Sequence, residues 1–280
     1  MEHQTSIAEG GQPCDGRLTI EPFLTRLGRQ IDLAQRRLRF RLADSRFNPR
    51  RIPTLDPQRF AGLRVIIIGP AATVVEDLAG IDVDGFDVIV RLNNGIPPAL
   101  AAPAVLGART DILFHNLNET GPRPAGAIPP ELLRRAGVKI CVFPHWGFQG
   151  NKRALERKRR ELSGVSEVSL QVPPARFYEG LRRDLDGLKP TIGLVAIAYF
   201  LACPLRELQI HGFTFFQTRY LPGYNDQVTT DEDARRWVGS SERHDPARER
   251  LLVQQTLQRA RDRDLTVTLG RHVETHLWVS

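Results

Sequence analysis

Residues 64–95 read RVIIIGPAATVVEDLAGIDVDGFDVIVRLNNG, and their pattern decides the fold class. Arg64–Ile68 is an apolar, β-branched run too short for a helix, so it reads as a strand buried on both faces. Gly69 ends that run, a tight loop follows, and a helical stretch leads to Gly80. Phe86–Leu92 (FDVIVRL) is a second strand-length run, closed by the turn-favouring residues Asn93, Asn94 and Gly95. Strand, loop, helix and strand in this order build a parallel pair.

Outward from this unit the alternation continues. Thr110–Phe114 (TDILF), Val138–Phe143 (VKICVF), Glu207–His211 (ELQIH) and Leu265–Leu269 (LTVTL) read as strands. Helical patterns fall at Lys152–Leu162, Ala175–Leu185, Gly193–Ala202 and Pro246–Arg261. The reading predicts a single α/β domain over residues 59–280, with a mostly parallel sheet flanked by helices. Ligands of such sheets bind beyond the carboxyl ends of the strands. Upstream, Pro49–Arg59 (PRRIPTLDPQR) is a proline-marked connector. Residues 17–58 are expected to form a basic helical extension and linker, and residues 1–16 a disordered tail.

Composition narrows the function. The chain has 280 residues, 41% hydrophobic and 25% charged, enough for one sizeable core. Its longest uncharged apolar stretch, Gly193–Cys203 (GLVAIAYFLAC), falls well short of the roughly 20 residues that a membrane-spanning helix needs. The first residues carry no apolar secretory segment, so a cytoplasmic location is expected. Cys14, Cys141 and Cys203 are too few and too irregularly spaced for a disulfide framework or a zinc site, which predicts free thiols. The net charge of +7 is concentrated in Arg26–Arg51, where Leu24, Leu27, Ile31, Ala34 and Leu38 recur at helical spacing. Three readings stand for this basic amphipathic helix: packing on the domain with its arginines in solvent, peripheral contact with an anionic membrane surface, or contact with nucleic acid.

Four segments could carry chemistry, and each also has a plain structural reading. Gly69 would let the backbone approach a nucleotide, or would only turn a strand into a helix. The segment has neither GxGxxG nor a Walker lysine. Asn93 and Asn116, each just after a strand, can hydrogen-bond a base, ribose or phosphate, or can serve as turn residues. In Leu188–Cys203 (LKPTIGLVAIAYFLAC), Thr191 is placed to cap an apolar helix whose free N–H groups and positive dipole, with Gly193 in the first turn, suit an anion. In Glu242–Ala260, Asp245 is placed as an N-cap and Pro246 as the first helical residue, leaving His244 just outside the helix start. The dipole there disfavours imidazolium, which suits a general base; a lone histidine at such a place can also be a plain surface residue.

Taken in order, these segments resemble glycosyltransferase family 29, the sialyltransferases, over roughly residues 60–270. The family's large motif is similar to VIIIGPAATVVEDLAGIDVDGFDVIVRLNNG followed by LGARTDILFHN, ending at Asn116. Its small motif is similar to KPTIGLVAIAYFLACPLRELQIHGF, its aromatic motif to Tyr224-Asn225-Asp226-Gln227, and its last motif, His followed five residues on by Glu, to His244 and Glu249. The resemblance implies a soluble, bacterial-type member with a Rossmann-like domain. It would move sialic acid or Kdo from a CMP-activated donor to a hydroxyl of a glycan or glycolipid acceptor, with inversion and without metal or cofactor. It further implies that Asn93 and Asn116 hold CMP with Gly69 giving room, and that Thr191 and Gly193 bind the ribose or the sugar carboxylate. Tyr224 would lie near the leaving phosphate, His244 would be the base, and Glu249 would orient its loop. No nucleic-acid partner is expected on this reading; a non-catalytic nucleotide- or nucleic-acid-binding module is the alternative. The chain departs from the family at Pro70, where an asparagine usually stands, at Val65, where animal members place a disulfide cysteine, and in lacking the aromatic motif's histidine.

Overall fold

A computed structural model describes residues 52–121, 123–148, 151–165, 167–239, 244–263 and 265–278. The predicted tail and the basic helix within Arg26–Arg51 lie outside the described residues, as does Cys14. Among the described residues seven strands form one sheet: β1 (Arg64–Ile68), β2 (Val88–Leu92), β3 (Ile112–Phe114), β4 (Ile140–Val142), β5 (Ser169–Gln171), β6 (Glu207–His211) and β7 (Thr266–Leu269). All pair in parallel in the order β5-β4-β3-β2-β1-β6-β7. The helices are α1 (Val74–Asp77), α2 (Ile96–Ala101), α3 (Pro103–Leu106), α4 (Pro130–Arg135), α5 (Asn151–Leu162), α6 (Ala175–Asp184), α7 (Ile192–Ala202), α8 (Asp231–Gly239), α9 (Pro246–Arg261) and α10 (Arg271–Trp278). The domain is thus a parallel, Rossmann-like α/β fold.

The central strands alternate between two buried faces, the usual condition of a parallel sheet, while the edge strand β7 is exposed on one face. Val65 and Ile67, with Val90 and Phe114, face a core shared with α6, α7, α9 and α10. Ile66 and Ile68 pack on α1 and α3, while Leu113, Cys141 and Leu170 pack on α4 and α5. Helix α7 is apolar all round, so no face of it suits water; nearly every residue from Ile192 to Leu201 is buried. Its position sets the site, because its first turn points out at the strands' carboxyl edge.

Four predicted strands start later than expected: in β3 the early Thr110 N–H goes to Ala136 O, and in the other three the early N–H groups close the preceding turns. Phe86 N–H donates to Val83 O, Val138 N–H to Leu133 O in the cap that ends α4 at Gly137, and Leu265 N–H to Ala260 O behind α9. The connector is also more deeply packed than predicted. Ile52 and Leu55 are buried, and Leu55 N–H and Pro53 O pair with Val172 just past β5, so the packed chain reaches back at least to Ile52.

Candidate active site

The chain leaves β1 toward β2 on one side and returns to β6 on the other, so the β1–β6 boundary is the switch point where such sheets bind ligands. Two cavities that share Asn93, Thr191, Ile192, Phe216, Tyr220 and Tyr224 open there, of about 130 Å³ and about 540 Å³. The smaller, mostly apolar one also takes Gly193, Phe213, Phe215 and Glu249 into its wall. The larger one takes Asn116, Asn118, His145, Lys189 and His244. Of the eight candidate residues, seven therefore come together from five separate places in the chain.

Gly69 does not line either cavity. A Cβ there would meet Gly212 O at 2.3 Å and Phe213 Cδ2 at 2.8 Å, so its missing side chain makes room for the β6 end and not for a nucleotide. Its N–H donates to His211 O, and Ala71 N–H to Gly212 O, tying the two strand ends together. Gly193 is similar: its Cβ would lie 3.0 Å from Phe213 Cε1.

Asn93 adopts a positive φ of 45°, a conformation asparagine tolerates better than most residues. Its Oδ1 accepts from Asn116 N–H at 3.2 Å, and Asn116 Oδ1 accepts from Asn118 N–H at 2.8 Å. The carbonyl ends of both amides are engaged inside the loops, and their N–H donors suit phosphate and carbonyl oxygens. Asn94, in contrast, is a brace: its amide donates to Gly223 O and Tyr224 O. Tyr224 lies on the ring of Tyr220, 5.2 Å between centroids, with its hydroxyl toward Asn93. Burial pushes that phenol up to about 12, so it is a neutral donor.

Thr191 caps α7, accepting from Leu194 N–H at 3.1 Å. Its own N–H donates to Glu249 Oε1 at 2.9 Å and its hydroxyl to Glu249 Oε2. Those bonds stand against the expectation that the Thr191 hydroxyl reads the ligand; the donors left at this helix start are the N–H groups of Ile192 and Gly193. Glu249 in turn ties the starts of α7 and α9 together. Burial raises its carboxyl to about 8, so it is largely uncharged at neutral pH.

His244 precedes α9, which Asp245 caps by accepting from Arg248 N–H at 3.0 Å. Its Nδ1 lies 2.7 Å from Lys189 O and 3.7 Å from Glu249 Oε1. A backbone carbonyl can only accept, so Nδ1 carries a proton, which in the neutral ring leaves the lone pair on Nε2. That is the tautomer a general base requires.

Other expected or missed residues sort by their partners. His115 is buried, donating from Nε2 to Gly126 O (3.1 Å) and accepting Leu117 N–H at Nδ1, and burial holds its pKa near about 4; it shapes the loop that walls the larger cavity. Arg91 is buried under the segment that joins α3 to β3, donating to Thr110 Oγ1, Leu106 O and Gly107 O. His145 was not singled out by sequence; it lies in the turn after β4, lines the larger cavity and bonds Tyr178 through Nδ1 at 2.6 Å. Lys189, Arg123 and Arg157 were missed as well. They give the larger cavity a cationic lining; among the described residues its one carboxylate is Glu119, paired with buried Lys158 at 2.8 Å. The Asp82-Val83-Asp84 triplet lies ahead of β2, at the opposite sheet edge, where Asp82 caps a turn and Asp84 accepts from Ala108 N–H. Among the described residues no cluster of His, Cys, Asp or Glu is placed to hold a metal ion, and no helix is long and apolar enough to cross a membrane. Cys141 and Cys203 are buried free thiols, each raised by burial to about 12.

No protein-family profile matches the chain, and no curated protein is similar to it at a significant level. Among solved structures it is similar to a mammalian sialyltransferase in complex with Gal-beta-1-3GalNAc-ortho-nitrophenol, at 16% identity and a TM-score of 0.46, covering 78% of this chain and 73% of that one. It is also similar to a variant of the sialyltransferase CST-II in complex with CMP, at 12% identity and a TM-score of 0.46, covering 74% and 81%. Likenesses at this level fix neither family nor activity, so the functional reading rests on the site itself.

Proposed function

We propose that this chain is a glycosyltransferase that moves an acidic keto sugar, sialic acid or Kdo, from its CMP-activated form to a hydroxyl of a glycan acceptor. The observation that carries the reading is His244: its proton is fixed on Nδ1 by the Lys189 carbonyl, in the wall of a cavity whose other donors suit phosphate.

In the proposed step, His244 Nε2 takes the proton of the acceptor hydroxyl as its oxygen attacks the anomeric carbon. The bond to the CMP phosphate breaks on the opposite face, so the configuration inverts. The Tyr224 hydroxyl and the N–H groups at the start of α7 hydrogen-bond the departing phosphate, and Asn93 and Asn116 hold the nucleotide. Lys189, Arg123 and Arg157 supply the positive field that a donor with both phosphate and carboxylate needs. A cavity of about 540 Å³ lies within the usual range of about 300–1,000 Å³ for small-molecule sites.

A donor screen with CMP-sialic acid, CMP-Kdo and UDP-hexoses tests the reading through release of free nucleotide. Turnover of a CMP-linked acidic sugar, unchanged by EDTA, is expected. Turnover of a UDP-hexose alone, or of no donor, would remove it.

A further inference from the structure

Helix α5 carries six cations in twelve residues, and only one of them has an ion-pair partner among the described residues. Lys158 is buried between Glu119 and Glu161, 2.8 Å from each. Arg153, Arg157 and Arg160 are exposed and stand at i, i+4 and i+7, which puts them in one row on the helix surface. Their guanidinium groups make no ion pair, hydrogen bond or ring contact with any described residue. The row meets the site at its middle member: Arg157, with Asn151 and Ala154, lines the larger cavity, and Arg153 and Arg160 stand about one turn, about 5.4 Å, to either side of it. Three like charges so close repel one another, so the arrangement favours an anion laid along it.

We propose that this row binds an anionic glycan chain, so that the acceptor carries carboxylate, sulfate or phosphate groups on the units next to the one that reacts. This rests on the transferase reading of the cavity and names its acceptor class. Insertion into a lipid surface needs large apolar residues beside the basic ones. Among the described residues the exposed large hydrophobics, Val75, Val105, Leu251 and Trp278, all lie on other helices. Single-stranded nucleic acid is held by aromatic platforms among the cations, and α5 has no aromatic residue. A flexible chain with charges spaced along it, entering the cavity at one end, fits what remains.

The test compares binding of a labelled oligogalacturonate and an uncharged maltooligosaccharide of equal length, by fluorescence anisotropy on the full chain. The oligogalacturonate is expected to bind and the uncharged chain not to. Arg153→Gln with Arg160→Gln should weaken that binding about tenfold. Arg259→Gln with Arg261→Gln, the same loss of charge at exposed positions of α9, should change it less than about twofold. Equal weakening in both pairs would overturn the proposal. So would tighter, Arg153- and Arg160-dependent binding to phosphatidylglycerol vesicles or to single-stranded DNA. Row-dependent binding with no donor turned over would leave the surface standing and remove the transferase reading. Turnover of a CMP-sugar with no row-dependent binding would do the reverse.

Discussion

Replacing Glu249 by glutamine should make the protein more stable at pH 8 and leave it nearly unchanged at pH 5. The buried carboxyl has its pKa raised from 4.5 to about 8, chiefly by burial and in spite of two hydrogen bonds from Thr191. Below pH 4.5 the group is neutral in folded and unfolded chains alike and costs nothing. Between pH 4.5 and 8 the unfolded chain ionises it and the fold does not, so stability falls as pH rises, and above pH 8 the full penalty stands. At about 1.4 kcal/mol for each pKa unit, the loss between pH 5 and pH 8 is about 3 to 4 kcal/mol. Glutamine resembles the neutral acid: its carbonyl can accept Thr191 N–H and its amide can donate to the Thr191 hydroxyl. Urea unfolding of both proteins at constant ionic strength, from pH 5 to pH 8, reads the difference. The wild-type midpoint should fall by about 1 M relative to the Glu249→Gln variant, for a slope near 3 kcal/mol/M. Parallel midpoints at every pH would show that Glu249 is ionised in the fold. An anion 3.7 Å from His244 Nδ1 would then favour imidazolium, and the base assignment would lose its electrostatic footing.

Gly69→Ala should destabilise the fold by about 2 kcal/mol or more, read as a lower thermal midpoint, because its Cβ would strike Gly212 O at 2.3 Å. If Gly69 instead makes room for a nucleotide, stability would hold and CMP affinity alone would fall. Tyr224→Phe should lower kcat by about 10² while CMP affinity, measured by calorimetry, changes little, since the hydroxyl is assigned to the departing phosphate. An unchanged kcat would remove Tyr224 from that role. Replacing Arg91 by Met should cost about 3 kcal/mol in urea unfolding, because three loop acceptors lose a buried donor; a loss below about 0.5 kcal/mol would mean that the loop over β3 is held elsewhere.

Much of the fold was legible because its signals are local. The strands β1 and β6 are continuous apolar or alternating runs, and α9 is marked at its start by Asp245 and Pro246, so all three match their predicted bounds. The strand β5 was missed because it has three residues, and only Leu170 and the neighbouring Val168 and Val172 hint at alternation. The helices α2 and α3 were missed because their prolines read as turn residues, though each stands at a helix start where its missing N–H costs nothing. At the site, the asparagines after β2 and β3 and the caps at Thr191 and Asp245 could be read from spacing. What could not be read is which groups are consumed internally. Thr191 and Glu249 satisfy each other across 58 residues, and Gly69 is filled by Gly212, neither of which leaves a trace in a linear pattern. His145, Lys189 and Arg123 stayed hidden for the same reason: they face the cavity only because the sheet order brings the β4 end and the α7 start together.

The central claim is that His244 takes the acceptor's proton, and the direct measurement is single-turnover CMP release from the donor by the His244→Ala variant, alongside calorimetric CMP binding. A fall of about 10² to 10⁴ in rate with CMP affinity within a few-fold of wild type is the predicted result. An unchanged rate would contradict the account, and so would a loss that follows CMP affinity alone.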